Sequence, residues 1–165
     1  MVKRTRYMVG FVILLVLAVV VSAPAWPIKQ ACTPGFFKNH PQFITGGSCI
    51  AGLNQNTLVS AVYSPVSANS CVGKMSLLGV LSAPTSSCGG GNTLEGAEVI
   101  LLRQSVTRVL NGTNSFDACN AVNAVINITD QAVSYGMATN DLSKMKTLAQ
   151  QFDALDNDNP CTIGD

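Results

Sequence analysis

At 165 residues, with 12% charged side chains and a formal net charge of +1, the chain carries no block of basic residues. That balance excludes the electrostatic footprint of a nucleic-acid binder or of a protein held on anionic membrane surfaces. The length allows one domain with a real apolar core, so crosslinks would add to a core and not replace one.

Met1 to Trp26 reads as a secretory leader. Lys3, Arg4 and Arg6 form a basic start, Val9 to Val21 is an unbroken apolar stretch, and Ala23-Pro24-Ala25 supplies small residues for cleavage after Ala25. The apolar run is 13 residues, short of the roughly 20 that span a bilayer. A signal peptide over 1–25 and a single secreted domain over 26–165 are therefore expected, with the membrane met only through the leader. Cleavage removes three of ten basic residues and none of the nine acidic ones, leaving a mature chain near −2.

The mature chain changes texture midway. Residues 26–92 are loop-rich and hold four of the six cysteines, whereas 93–165 is helical in pattern. In the first part, Thr33-Pro34 predicts a capped short helix with proline at its first position, carrying Phe36, Phe37, Lys38 and Asn39 and ended by Pro41. Thr57 to Tyr63 and Met75 to Leu81 are two further short apolar segments, each about two turns long, stopped by Pro65 and Pro84. No run alternates well enough to predict a sheet, although a small hairpin between Cys49 and Cys71 stays open.

The clearest helix begins at Asn92-Thr93-Leu94-Glu95, where a capping side chain precedes a glutamate by three residues. Leu94, Ala97, Leu101, Leu102, Val106, Val109 and Leu110 form its stripe, Arg103, Gln104 and Arg108 take the remaining face, and Asn111-Gly112 is the stop. A second helix is expected from about Ser115, burying Phe116, Cys119, Val122, Val125, Ile126 and Val133 before Gly136. A third starts near Thr139 with Leu142, Met145, Leu148, Phe152 and Leu155 as its stripe. The fold class is thus all-α or mainly α: a disulfide-stabilised domain of about five helices, the three longer ones in the C-terminal half.

Cys32, Cys49, Cys71, Cys88, Cys119 and Cys161 all lie beyond the leader. Six cysteines in an exported chain argue for three bridges among 15 connectivities. A structural zinc site does not fit, because no two cysteines stand two to four apart and His40 is the sole histidine.

Four segments together are similar to a family of secreted bacterial proteins and domains. They are Cys32-Thr33-Pro34-Gly35-Phe36-Phe37-Lys38, Ser76-Leu77-Leu78-Gly79-Val80-Leu81, the helix from Leu101 to Asn111, and Leu155-Asp156-Asn157-Asp158-Asn159-Pro160-Cys161. The family has a Cys-Thr-Pro-Gly-aromatic-Trp-Lys opening, a Leu-Leu-Arg-Gln-Ala-Val helix and an Asn-rich end before a last cysteine. Phe37 stands where the family has Trp, and Asn159-Pro160-Cys161 replaces a Gly-Cys-Pro ending. The resemblance implies no activity, but it implies that Cys32 and Cys161 are partners, a bridge contributing about 5 kcal/mol in the chain-entropy model. The remaining four are then expected as Cys49–Cys71 and Cys88–Cys119.

The chain offers little reactive chemistry. His40 would need a partner in order to act as a base, and no Gly-x-Ser-x-Gly elbow or His-Glu-x-x-His pair exists; between Asn39 and Pro41 it fits a turn. The binding residues singled out are those of this opening turn: Phe36, Phe37, Lys38 and His40. Gly89-Gly90-Gly91 before a helix lacks the Lys-Ser/Thr of a phosphate cradle and is followed by Glu95 and Glu98, which repel an anion. Asp153, Asp156 and Asp158 offer oxygens to calcium but lack the glycine and terminal glutamate of an EF-hand loop. Asn111-Gly112-Thr113 and Asn127-Ile128-Thr129 match the glycosylation acceptor pattern.

The expected function is that of a non-catalytic structural or interaction protein of the cell envelope or extracellular matrix. It would recognise cell-surface components or copies of itself, since a weak net charge opposes homotypic packing little. The alternatives are a secreted hydrolase or inhibitor using His40 with an acidic partner, and a small-ligand or glycan binder using Trp26, Tyr63 and Tyr135.

Overall fold

A computed structural model describes residues 32–113 and 119–157; the leader, Trp26, Phe116, Asp158 and Cys161 lie outside them. Among the described residues there are six α-helices and no strand: α1 (Pro34–Asn39), α2 (Val59–Val62), α3 (Leu77–Ser82), α4 (Leu94–Thr113), α5 (Cys119–Thr139) and α6 (Ser143–Asn157). Short 3-10 turns cover Pro41–Phe43 and Ser87–Gly89. The mainly helical class and the three long C-terminal helices are as the sequence predicts, with six helices where about five were expected.

Local chemistry sets the short helices. The Thr33 hydroxyl accepts from the Phe36 N–H at 3.4 Å, ahead of Pro34 at the first helical position. Ser76 caps α3 through the Gly79 N–H at 3.0 Å. The Thr57–Tyr63 segment forms only one turn, α2, because the chain around it pairs instead with the entry to α3: Val59 N–H donates to Met75 C=O at 3.0 Å and Leu77 N–H to Thr57 C=O at 2.9 Å. That isolated antiparallel bridge is the strand-like element described, and it joins Leu58, inside the 49–71 span left open for a hairpin, to Ser76 beyond it.

The long helices pack on one another, and α1 and α3 cover the same central helix, α4. The face that the stripe leaves to Arg103, Gln104 and Arg108 is largely buried too. Gln104, Ser105, Thr107 and Asn111 are buried along with Ala97, Leu101, Leu102, Val106 and Leu110, and the Arg108 side chain is 13% exposed. Hydropathic periodicity registers apolar residues only, and here polar ones are buried by pairing with each other.

The helix ends differ in instructive ways. The N-cap of α4 is Thr93, not Asn92: its hydroxyl accepts from Gly96 N–H at 3.0 Å and reaches the Gly90 C=O at 2.9 Å. At the other end α4 runs through Asn111-Gly112 to Thr113, because the Asn111 amide turns inward instead of ending the helix. Helix α5 likewise passes through Gly136, where the missing side chain admits Met145 of α6; a Cβ there would meet the Met145 methyl at 2.7 Å. The stripe of α6 is Met145, Ala149, Phe152 and Asp156, all buried, while Leu155 is 49% exposed.

Between described residues the disulfides are Cys49–Cys119 and Cys71–Cys88, which corrects the expected Cys49–Cys71 and Cys88–Cys119. Nearest-neighbour pairing of cysteines ignores where the helices bring their ends. Cys49 is carried to the start of α5, and the segment holding α3 returns to close on its own beginning, a separation of 17 residues. Cys32 is disulfide-bonded and fully buried; the implied partner Cys161 lies outside the described residues.

Candidate functional site

Three places hold the residues that could carry function: the opening turn, the buried polar clusters around α4, and the groove between α5 and α6.

In the opening turn, Phe37 is wholly buried and belongs to the core, so it is not available to a ligand. Phe36 is half-buried in a three-ring cluster, with the His40 ring stacked on it at 4.5 Å, Phe43 at 5.7 Å, and His40 and Phe43 themselves 6.4 Å apart. His40 caps α1: its Nδ1 lies 3.0 Å from the Phe36 C=O, which makes Nδ1 the protonated nitrogen of that bond. His40 and Lys38 are exposed. No carboxylate among the described residues pairs with His40.

The largest polar cluster joins three distant parts of the chain. Asn111 receives the Cys32 N–H at 2.7 Å and donates to the Cys32 C=O at 2.9 Å, so one amide holds the chain entry on α4. The same amide nitrogen lies 3.2 Å from Asp156 Oδ1, which also receives the Arg108 guanidinium at 3.2 Å. Asp156 is 2% exposed. Burial pushes its carboxyl up to about 6 despite the Arg108 charge and the Asn111 bond, which pull it down. One turn away, Gln104 Nε2 donates to Asp153 Oδ1 at 2.9 Å. Asp153 and Asp156 are thus engaged by α4, and the third calcium candidate, Asp158, lies outside the described residues.

A second cluster is made of hydroxyls. Tyr63 Oη lies 2.9 Å from Ser105 Oγ, which lies 2.7 Å from Thr129 Oγ1, and Thr129 donates on to the Val125 C=O at 2.8 Å. All three side chains are fully buried, and burial raises the Tyr63 phenol above its ordinary range. Tyr63 is therefore a core tyrosine tying α2 to α4 and α5, not a platform for a glycan. Tyr135, the other described aromatic considered for that role, has the Lys144 ammonium 3.6 Å above its ring. Both acceptor sequons are also compromised by packing, since Asn111 and Thr129 are buried with their polar atoms engaged.

Glu98 is a residue the sequence reading passed over except as a repulsive charge. It is 2% exposed on α4, and burial together with Glu95 raises its carboxyl to about 7. A carboxyl held above its unfolded value makes the fold most stable when protonated; that stability drains away as pH rises from about 4.5 to about 7. Glu98→Gln is expected to flatten this slope and to stabilise the protein at pH 8 by ~2 kcal/mol. Urea midpoints of both proteins at pH 5 and pH 8 check it, and an unchanged slope would refute the assignment.

Among the described residues, the one grouping of three metal-type donors is Cys71, Cys88 and Glu95, whose ligand atoms lie within 4.8 Å of one another. Both sulfurs are bonded to each other. A shallow groove of about 330 Å³ lies between Ile128, Gln131 and Ala132 of α5 and Ser143, Lys144, Thr147, Leu148 and Gln151 of α6. Ile128 is 43% exposed at its edge. No described helix is long and apolar enough to cross a membrane. No protein-family model, curated protein or solved structure matches the chain.

Proposed function

We propose that the chain is an exported, non-catalytic structural or interaction protein of the cell envelope or extracellular matrix, acting by rigid-body surface recognition or self-association. The observation that carries this reading is where the polar side chains are engaged. Arg108, Asp156, Asn111, Gln104, Asp153, Tyr63, Ser105 and Thr129 bond helix to helix, which builds stiffness, and among the described residues no carboxylate pairs with the exposed His40. Export is supported by the leader pattern at the N-terminus and by two disulfides among the described residues.

The occupant proposed for the α5–α6 groove is a second copy of the chain. Its apolar floor of Ala132 and Leu148 and its Gln131, Thr147 and Gln151 rim suit helix packing, with Lys144 as the one charge in the lining. Sedimentation of the purified protein across a concentration series is expected to give a mass above the monomer that Ile128→Lys returns to monomer. A monodisperse monomer up to the solubility limit would refute self-association.

A further inference from the structure

We propose that the Cys71–Cys88 bond is a redox-sensitive clasp on the N-terminus of α4, one that a thiol reductant opens while the helical core stays folded, and that Glu95 guards it. Three features set this bond apart. Cys71 is exposed, whereas Cys32 is wholly buried and Cys49 and Cys119 are each half-buried. Cys88 has φ +53°, in the left-handed region that a residue with a side chain avoids, and it is followed by Gly89 at +92° and Gly90 at +78°. The turn so formed rests directly on α4, with the Thr93 hydroxyl donating to the Cys88 C=O at 3.1 Å and to the Gly90 C=O at 2.9 Å.

The segment between the two cysteines stays anchored without the bond. Leu77, Val80 and Leu81 of α3 are buried against the rest of the core, so opening frees the two ends and not the helix between them. Relief of the left-handed Cys88 backbone favours the open form by about tenfold. Loss of the clasp loosens the Thr93 cap, and with it the first turn of α4.

The chemistry is thiol–disulfide exchange with a dithiol reductant. A reductant thiolate attacks Sγ of the exposed residue Cys71, forming a mixed disulfide, and the electron pair of the broken bond leaves on Cys88 Sγ. The second reductant thiolate then attacks the reductant's own bonded sulfur and expels Cys71 Sγ, closing a cyclic disulfide. The two protons given up by the reductant end on Cys71 and Cys88, so the protein is reduced by two electrons and the dithiol oxidised by two. The Glu95 carboxylate lies within 4.8 Å of both sulfurs and repels the incoming thiolate, slowing the first step about threefold.

The test is limited reduction of the folded, full-length protein with dithiothreitol at pH 8, quenched by alkylation and mapped by mass spectrometry beside far-UV circular dichroism. Cys71 and Cys88 are expected to be alkylated about tenfold faster than Cys49 and Cys119, with helicity retained and amide exchange raised over residues 88–96. Glu95→Gln is expected to speed that labelling about threefold, with the difference shrinking at high salt. Labelling of Cys49 and Cys119 first or in step, or labelling that appears only as helicity is lost, would overturn the clasp. A Glu95→Gln rate equal to that of the parent would overturn the guarding role.

Discussion

Arg108→Ala is expected to destabilise the protein by ~3 kcal/mol at pH 7, because it leaves a buried carboxylate without its counter-charge. Asp156 is 2% exposed and takes both Arg108 and Asn111 on one oxygen, while its Oδ2 has no partner. Even with Arg108 in place its carboxyl sits at about 6, well above the ordinary value of 3.8. Without the guanidinium it can stay buried only by holding a proton. The parent carboxyl itself holds a proton below about 6, so the cost special to the variant grows by about 1.4 kcal/mol per pH unit only above that value; the deficit should be larger at pH 7 than at pH 4 by about 1.4 kcal/mol, the remainder being lost packing of the Arg108 stem. Thermal unfolding at the two pH values reads this directly, with a midpoint drop on the order of 10 °C at pH 7. A deficit independent of pH would show that Arg108 acts through packing of its stem and not through Asp156. The parent has the same sign of dependence: both Asp156 and Glu98 are raised, so its stability is expected to decline as pH climbs from about 4.5 towards 7.

Gly96→Ala is expected to be the second most damaging change, although alanine is the better helix former by up to ~1 kcal/mol. A Cβ on Gly96 would lie 1.7 Å from the Gly90 C=O oxygen and 2.3 Å from its carbon. Those are backbone atoms of a turn held by Thr93 on one side and by the Cys71–Cys88 bond on the other. Overpacking of this kind costs about 3 kcal/mol, so the clash outweighs the propensity gain and leaves a net loss of ~2 kcal/mol. Gly35→Ala is the control. Its Cβ would meet Thr33 Oγ1 at an ordinary 3.7 Å, and the change should alter urea stability by less than ~0.5 kcal/mol. Equal effects of the two substitutions would sink the close-approach argument.

Much of the local structure was legible because its causes are local. Thr33 followed by Pro34, Ser76 before its apolar turn, and the apolar spacing from Leu94 to Leu110 each act within one helical turn, so they can be read without knowing the fold. The apolar stripe of α6 was legible up to its last position, where Leu155 and Asp156 exchange the burial expected of them. That exchange depends on Arg108, 48 residues away along the chain, and nothing near Asp156 announces it. Asn111 misled for the same reason: an Asn-Gly pair reads as a stop, yet its amide is held inside by the backbone of Cys32, 79 residues earlier. Of the opening-turn residues, the sequence identified an aromatic cluster but could not separate Phe37, which enters the core, from Phe36 and His40, which stack at its edge.

By itself the amino-acid order determined the helical class, the weak charge, the leader pattern and the presence of enough cysteines for crosslinks. Those follow from composition and from periodicities shorter than about four residues. Only the tertiary structure decided which sulfurs meet, that α4 is surrounded on all sides, and that its polar residues bond across helices. Such pairings are long-range: their free energy exists only once separate segments are brought together and water is excluded between them, and no spacing within one segment encodes it.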